Sequence, residues 1–549
     1  MAALKRLGIP PRLISYIEAL YQDSYTDING RRVKLGRGIR QGDALSTFLF
    51  NAVVDMCMDG IEDEFGYPLG EGLRISELFF ADDCVLASES KAGLLRLLNF
   101  VTDRFRMVGL SVNVAKSSTL AFRWNGTQKK HAVDETPFAR LGDNFIPPAG
   151  PHTTLKYLGL NFTAYTFKTD EVVEDLKKTL GNVSKAPLTV PQKLLALRQN
   201  VIPGLFHKLI LGDTTKSTLL AIDRNVRKFV REVTHLPMDT PTAFFHAKIK
   251  DGGLGISSLT TDVAYMRTRR FQKLLESDCV YTQSLLRSVG QSPRPIQLNG
   301  TLCCVKADAQ RGWKQELQRS VDCGQLVNNE FDETIRKWMI DVSLRQGDFV
   351  KALHVRAKAL KTPSRQARRD GSSKLCRVDR AVASLTHISQ ECDLSHGRRI
   401  SRHDKVVRKL GKVLSRSWKT ETEPHIPVER SFLKPDLVIH NDRESVVVDP
   451  IIVGDNVCLR ERAAQKVQRY SREAVMEYVQ EKRGLLGLPQ SDAFSVIGVP
   501  ITYRGEILAS TRLQLKRIGV PATYLSKVVF GALVDSWFLW RAWAQNTRS

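Results

Sequence analysis

Disulfide chemistry is the first thing this chain does without. Nine cysteines are scattered through 549 residues, and an odd, dispersed set does not make the framework that staples small secreted domains. The thiols are read as reduced and the chain as intracellular. Long apolar runs are missing too. The best candidate, 528–543, is broken by Asp535 and Arg541, whereas a membrane-spanning helix needs about 20 apolar residues. The first residues lack the succession of a secretory signal. Acid is also in short supply. Against 82 Lys and Arg stand 58 Asp and Glu, a formal charge of +24 with a pI near 9.7. Such an imbalance implies a polyanionic partner, most simply nucleic acid. What the chain has is an apolar fraction of 42%, ample for several cores, and a length suggesting roughly three or four domains. It opens inside an amphipathic helix, so it is expected to be a fragment.

The pattern predicts a multidomain α+β protein. Helical and strand periods alternate over 1–165. Leu13, Ile14, Ile17, Leu20 and Tyr21 share one helical stripe, and Leu45, Leu49, Val53, Met56 and Ile61 share another. From 166 to 280 the reading is helical. Leu219, Ile222, Val226, Phe229 and Val233 make an apolar face, with Arg224, Arg227, Lys228 and Arg231 off it. Residues 281–375 read as a linker region ending in a basic loop, 358–374. A Cys/His segment fills 376–403, and 404–549 alternates strands and helices.

Chemistry concentrates at three places. The first is Phe79-Phe-Ala-Asp-Asp83, preceded by the Gly-rich stretch 36–51. Asp82 and Asp83 are expected at a hairpin turn between two short apolar strands. Adjacent carboxylates among apolar residues are costly to ionise without a cation, and Mg²⁺ suits oxygen ligands. Gly42 lets backbone approach a substrate, Gln41 can bond a nucleotide or template, and Asp43 is placed to cap the next helix.

The second place is Cys376, His387 and Cys392. Thiolate and imidazole suit Zn²⁺. His396, four residues beyond Cys392, is expected to complete a tetrahedron, and a degenerate site without metal is the alternative. Arg398, Arg399 and Arg402 follow in a basic run whose charge fits DNA phosphates.

The third place is a pair of apolar strands, 434–439 and 445–449, around a polar turn. A hairpin centred between Asp442 and Arg443 would set Asp436 opposite Asp449, with Cβ atoms roughly 5 Å apart, close enough to share a cation. Lys466 and Tyr470 lie i, i+4 on a predicted helix. A lysine there can stabilise charge developing on a phosphate.

Together these motifs resemble the Pol polyproteins of non-LTR (type-1) retrotransposable elements, in the site-specific, R-two-like subclass. The likeness rests on Arg40-Gln-Gly-Asp-Ala-Leu-Ser46 through Asn51, Phe80-Ala-Asp-Asp83, Gly109-Leu-Ser-Val-Asn113 with Lys116, and Leu155-Lys-Tyr-Leu-Gly-Leu160, in the family's order. Pro191-Gln-Lys193, Ile202-Pro203, Leu236-Pro237 and Gly252-Gly-Leu-Gly255 resemble its thumb. Ala44 stands where the family usually has proline. The resemblance implies a reverse transcriptase palm, a helical thumb, a Cys-Cys-His-Cys zinc knuckle with one cysteine missing here, and a PD-(D/E)xK endonuclease. It implies Mg²⁺ on Asp82 and Asp83 and on Asp436 and Asp449, Lys466 assisting attack, and Tyr470 supporting the site. Lys116 would lie near the incoming triphosphate. RNA template, target DNA and dNTPs would be the partners, acting in the nucleus by target-primed reverse transcription. The family's first catalytic aspartate and its fingers precede the Gly-rich block, so polymerisation by this chain is expected to be impaired. A non-catalytic nucleic-acid-binding remnant is the competing expectation.

Overall fold

The computed structural model describes residues 1–22, 24–34, 38–40, 42–167, 171–289, 296–298, 301–429 and 431–547. The chain forms two compact units: 1–170 with 208–214 and 267–293, and 171–207 with 215–266 and 294–549. The helical stretch 166–280 thus contributes to both, while 294–403 folds together with 404–549.

The first unit is built from helices and two-stranded hairpins. Helix Ser46–Met58 buries Ala52, which joins Ala3, Leu4, Ile14 and Ile17 in one cluster. Helix Lys91–Met107 is capped by Ser90, whose Oγ accepts from Gly93 N at 3.0 Å, and buries Leu97, Leu98 and Val101.

The second unit centres on a four-stranded sheet in the order Lys419–Thr422, Leu437–His440, Ser445–Val453, Phe494–Thr502. The first two neighbouring pairs are antiparallel and the last is parallel. Strand alternation sorts the faces. Leu437, Ile439, Val446 and Val448 join a core with Val406, Leu410, Val528 and Val529, from helices His396–Leu414 and Ala522–Asn546. Val438 and Val447 pack instead with Tyr470, Val475 and Val479, from helices Leu459–Tyr470 and Glu473–Leu485.

A buried ionic cluster joins the preceding segment to this sheet. Beyond the last strand, Gly505 turns the chain with φ +79, and a Cβ there would lie 2.8 Å from Val529 Cγ1. The turn aims Glu506 inward, where it accepts from Arg336 Nη2 at 2.8 Å and Arg356 Nη2 at 2.6 Å. Arg504 donates to Asp455 Oδ2 at 2.9 Å, and Lys358 Nζ lies 2.8 Å from the same oxygen.

The basic stretch 358–374 is therefore not a linker. It includes helix Pro363–Asp370, capped by Thr362, and buries Arg365 against Asp239 at 2.8 Å and Asp322 at 3.3 Å. Its cations have acids to meet at positions that local pattern does not reveal.

The apolar face of helix Lys216–Thr234 is buried as its period predicts, but the basic residues beside it are partly structural. Arg231 lies over the Phe245 ring at 4.7 Å. Arg227 Nη1 donates to His246 Nε2 at 3.1 Å, so Nδ1 carries the imidazole proton and donates to Ile256 O at 3.0 Å. Burial, with Arg227 and Arg231 nearby, holds the His246 pKa down to about 4. The unfolded imidazole titrates near 6.5, so this neutral histidine contributes stability above pH 6.5 that is lost as pH falls toward 4. At 1.36 kcal/mol per pH unit the loss is on the order of 3 kcal/mol. Urea unfolding at pH 7.5 and pH 4.5 should show that drop, and His246→Gln should shrink it.

Candidate active sites

The observed register is Leu437↔Val448 through His440↔Ser445. Continued by one residue, it sets Asp436 opposite Asp449, as the strand pattern predicts. Asp449 is 1% exposed. Lys466 Nζ lies 2.5 Å from Asp449 Oδ1, yet that oxygen has no aligned hydrogen bond. The contact is an ion pair with unused acceptor capacity. Burial, and the negative Asp449 beside it, push the Asp436 carboxyl up, while His403 and Lys466 oppose this. Two neighbouring carboxylates, one raised by the other and one with an unsatisfied buried oxygen, are a donor set suited to a hard divalent cation. Tyr470 donates its hydroxyl to Lys434 O at 3.2 Å, which fixes the chain entering the Asp436 strand. Burial, then the negative Asp449, raises its phenol.

Two residues here escaped sequence reasoning. His403 Nε2 lies 3.2 Å from Asp436 Oδ2 and 2.9 Å from Pro450 O. The bond to Asp436 raises the imidazole pKa to about 9. Nothing in its basic neighbourhood distinguished it. Gly498 pairs with Asp449 across the parallel strands. A Cβ there would lie 2.9 Å from Ala463 O and from Lys466 Cβ. A hydrogen at this position lets the helix settle close enough for Lys466 to reach Asp449.

The Cys/His segment gathers Cys376, Asp379, His387 and Cys392, with one ligand atom from each lying within 4.8 Å of the others. The two sulfurs are 3.9 Å apart, and His387 Nε2 is 3.1 Å from Asp379 Oδ2. That nitrogen is buried without an aligned hydrogen bond, a state that suits a metal ligand. The expected fourth member, His396, does not join. It starts helix His396–Leu414, is exposed, and its Nδ1 lies 3.5 Å from Arg399. Asp379 takes the place instead.

The basic run also divides. Arg398 is exposed. Arg399 donates to the carbonyls of Gln390, Glu391 and Cys392, closing the end of helix Leu385–Gln390. Arg402 is not available to DNA. It is 2% exposed and donates to Ser536 Oγ at 2.8 Å and Ser389 O at 2.9 Å, and burial lowers its pKa to about 10.

In the first unit, strands Glu77–Phe80 and Asp83–Leu86 pair as Phe80↔Asp83, leaving Ala81 and Asp82 as a two-residue turn. Ala81 has φ +54, as such tight hairpins require. Both carboxylates are exposed. Among the described residues no third acid gathers with them. Burial, and then the negative Asp83, raise the phenol of Tyr157 in strand Leu155–Tyr157. Lys116 ends a short 3₁₀ turn capped by Asn113 and is exposed. Gly42 has φ +91, with open space around the position of a Cβ. Asp43 accepts from Leu45 N at 3.0 Å just before the following helix. Gln41 lies outside the described residues.

Residues 1–162 match the family described as reverse transcriptase (RNA-dependent DNA polymerase). A retrovirus-related Pol polyprotein from the type-1 retrotransposable element R2 of Popillia japonica is 30% identical over 424 residues, covering 73% of this chain and 85% of that relative. The chain belongs to the R2 retrotransposon Pol polyproteins. The Pol polyprotein of the type-2 element R2DM of Drosophila melanogaster is 32% identical over 483 residues, covering 85% of this chain and 46% of the relative. That of the Nasonia vitripennis R2 element is 29% identical over 548 residues, covering 97% and 52%. This R2 Pol chain thus spans about half the length of those two relatives. Among its described residues no helix is long and apolar enough to cross a membrane.

Proposed function

We propose that this R2 Pol chain pairs a reverse transcriptase domain with a Mg²⁺-dependent DNA endonuclease, for target-primed reverse transcription in the nucleus. The observation that carries the endonuclease is the cross-strand pair Asp436 and Asp449 with Lys466 on the helix above it. The order helix, three sheet strands, two helices, fourth strand around this pair supports a PD-(D/E)xK reading. Asp436 and Asp449 would hold Mg²⁺. When bound, the ion would polarise the scissile phosphate and favour ionisation of an attacking water. Lys466 supplies positive charge where negative charge develops on the phosphate. His403 and Tyr470 position Asp436 and the chain entering its strand. In the first unit Asp82 and Asp83 are assigned to Mg²⁺, and Gln41, Gly42 and Lys116 to the template and incoming dNTP. RNA template and target DNA are the macromolecular partners.

The test is nicking of supercoiled plasmid carrying ribosomal DNA. The parent should nick in Mg²⁺ and Asp449→Ala should not. Salt-sensitive DNA binding without nicking by the parent would overturn the endonuclease. It would favour a binding remnant.

Cys376, Asp379, His387 and Cys392 are assigned to Zn²⁺. Two thiolates, one imidazole and one carboxylate are all zinc ligands, though the carboxylate is a harder donor than the thiolate of a Cys-Cys-His-Cys set. Purified parent should hold about one zinc per chain beyond any background, by the ligand count of a closed structural site. His387→Ala should lose that zinc and His396→Ala should keep it, as read by metal analysis of the dialysed protein.

A further inference from the structure

An aromatic surface on the first unit plays no part in the sites above. Strands Phe122–Asn125 and Lys130–Val133 pair with Trp124 opposite His131 and Phe122 opposite Val133. Alternation puts Phe122 and Trp124 on one face with those partners. Phe122 is 47% exposed, Trp124 59% and Tyr165 58%. The Trp124 and His131 rings meet edge-on with centroids 5.2 Å apart, and Phe122 meets Tyr165 edge-on at 6.3 Å. Edge contacts orient the rings without closing them into a stack. Exposed Lys129 stands in the turn of the same hairpin, while Arg123 and Lys130 alternate to its other face. The neighbouring acid Asp134 is already paired with Lys91 at 2.7 Å.

We propose that Phe122, Trp124, His131 and Tyr165 form a stacking platform for single-stranded RNA, with Lys129 at the hairpin turn drawing in its phosphates. Open aromatic faces beside a cation suit a strand whose bases are unpaired, since every base has a π face and every linkage a charge. RNA is the occupant because the platform belongs to the reverse transcriptase domain, and the inference rests on that reading. Tyr165 follows strand Leu160–Phe162, which pairs with Leu155–Tyr157 in the same unit.

The test is the affinity of the full chain for a short labelled single-stranded RNA, by fluorescence anisotropy, with a DNA of the same sequence in parallel. Trp124→Ala and Tyr165→Ala should each weaken RNA binding about 5- to 100-fold, and Trp124→Phe should keep most of it. Ultraviolet cross-linking should attach the RNA at Trp124 or Tyr165. All of these side chains are exposed, and plasmid nicking reports separately on the second unit, so loss of nicking and loss of the platform can be told apart. Parental RNA affinity in both alanine variants would overturn the platform. An equal loss for the DNA strand would overturn RNA as its occupant.

Discussion

Glu506→Ala is expected to destabilise the second unit by about 3–5 kcal/mol, the range found when one partner of a buried ion pair is removed. Glu506 is 1% exposed, as is Arg336, and Arg356 is fully buried. One carboxylate serves both guanidiniums, Oε2 for Arg336 and Oε1 for Arg356. Burial already holds Arg356 down to about 10, with Glu506 the main influence opposing it. Arg356 Nε has no hydrogen-bond partner even in the intact cluster. Without the carboxylate, two buried cations would face each other uncompensated. A domain with roughly 5–15 kcal/mol of stability would lose much of it. Urea unfolding followed by circular dichroism should show the shift, with little relief from added salt because the site is closed to solvent. Replacing Glu506, Arg336 and Arg356 together by methionine should cost less than Glu506→Ala alone, because no bare charge is then left inside. Equal costs would mean that packing, not charge, governs the cluster.

That cluster also marks where sequence reading reaches its limit. The hairpin bearing Asp436 and Asp449 was legible because two apolar strands around one polar turn leave few registers, and a slip of one residue would turn every side chain to the other face. The Asp82–Asp83 turn was legible for a similar reason: its tight geometry is local. Arg402 was misread because charge density looks the same whether it meets phosphate or a protein oxygen, and its partner Ser536 is 134 residues away. The basic stretch 358–374 was read as a loop for a similar reason: its Arg365 meets Asp239, 126 residues away. The metal cluster shows a subtler failure. Spacing favoured His396, but the chain turns back after Cys376, with Arg380 at φ +60 and Arg380 N bonded to Cys376 O at 3.1 Å. That turn carries Asp379 to His387, while His396 leaves on a new helix. His403 was hidden because its partners, Asp436 and Pro450, come from other elements.

Lys466→Ala is expected to slow nicking by about 10²–10³-fold, the cost of losing one preorganised group that stabilises transition-state charge. Lys466 also balances a buried charge in the resting protein. It is 2.5 Å from Asp449 Oδ1, and that oxygen has no aligned hydrogen bond to replace it. Removing the ammonium leaves Asp449 with a greater need for a cation. Mg²⁺ should therefore raise the thermal midpoint of Lys466→Ala more than that of the parent, since stabilisation grows with affinity for the native state. Lys466→Arg keeps the charge but not the fit. The helix packs so closely over Gly498 that Lys466 Cβ lies 2.9 Å from where a Cβ of residue 498 would sit. A planar guanidinium does not reproduce the point contact that a compact ammonium makes with Asp449. It should restore the charge balance at Asp449 without recovering the rate. Parental nicking by Lys466→Ala, beside an inactive Asp449→Ala, would remove the lysine from the chemistry and leave it as the counter-ion of a metal ligand.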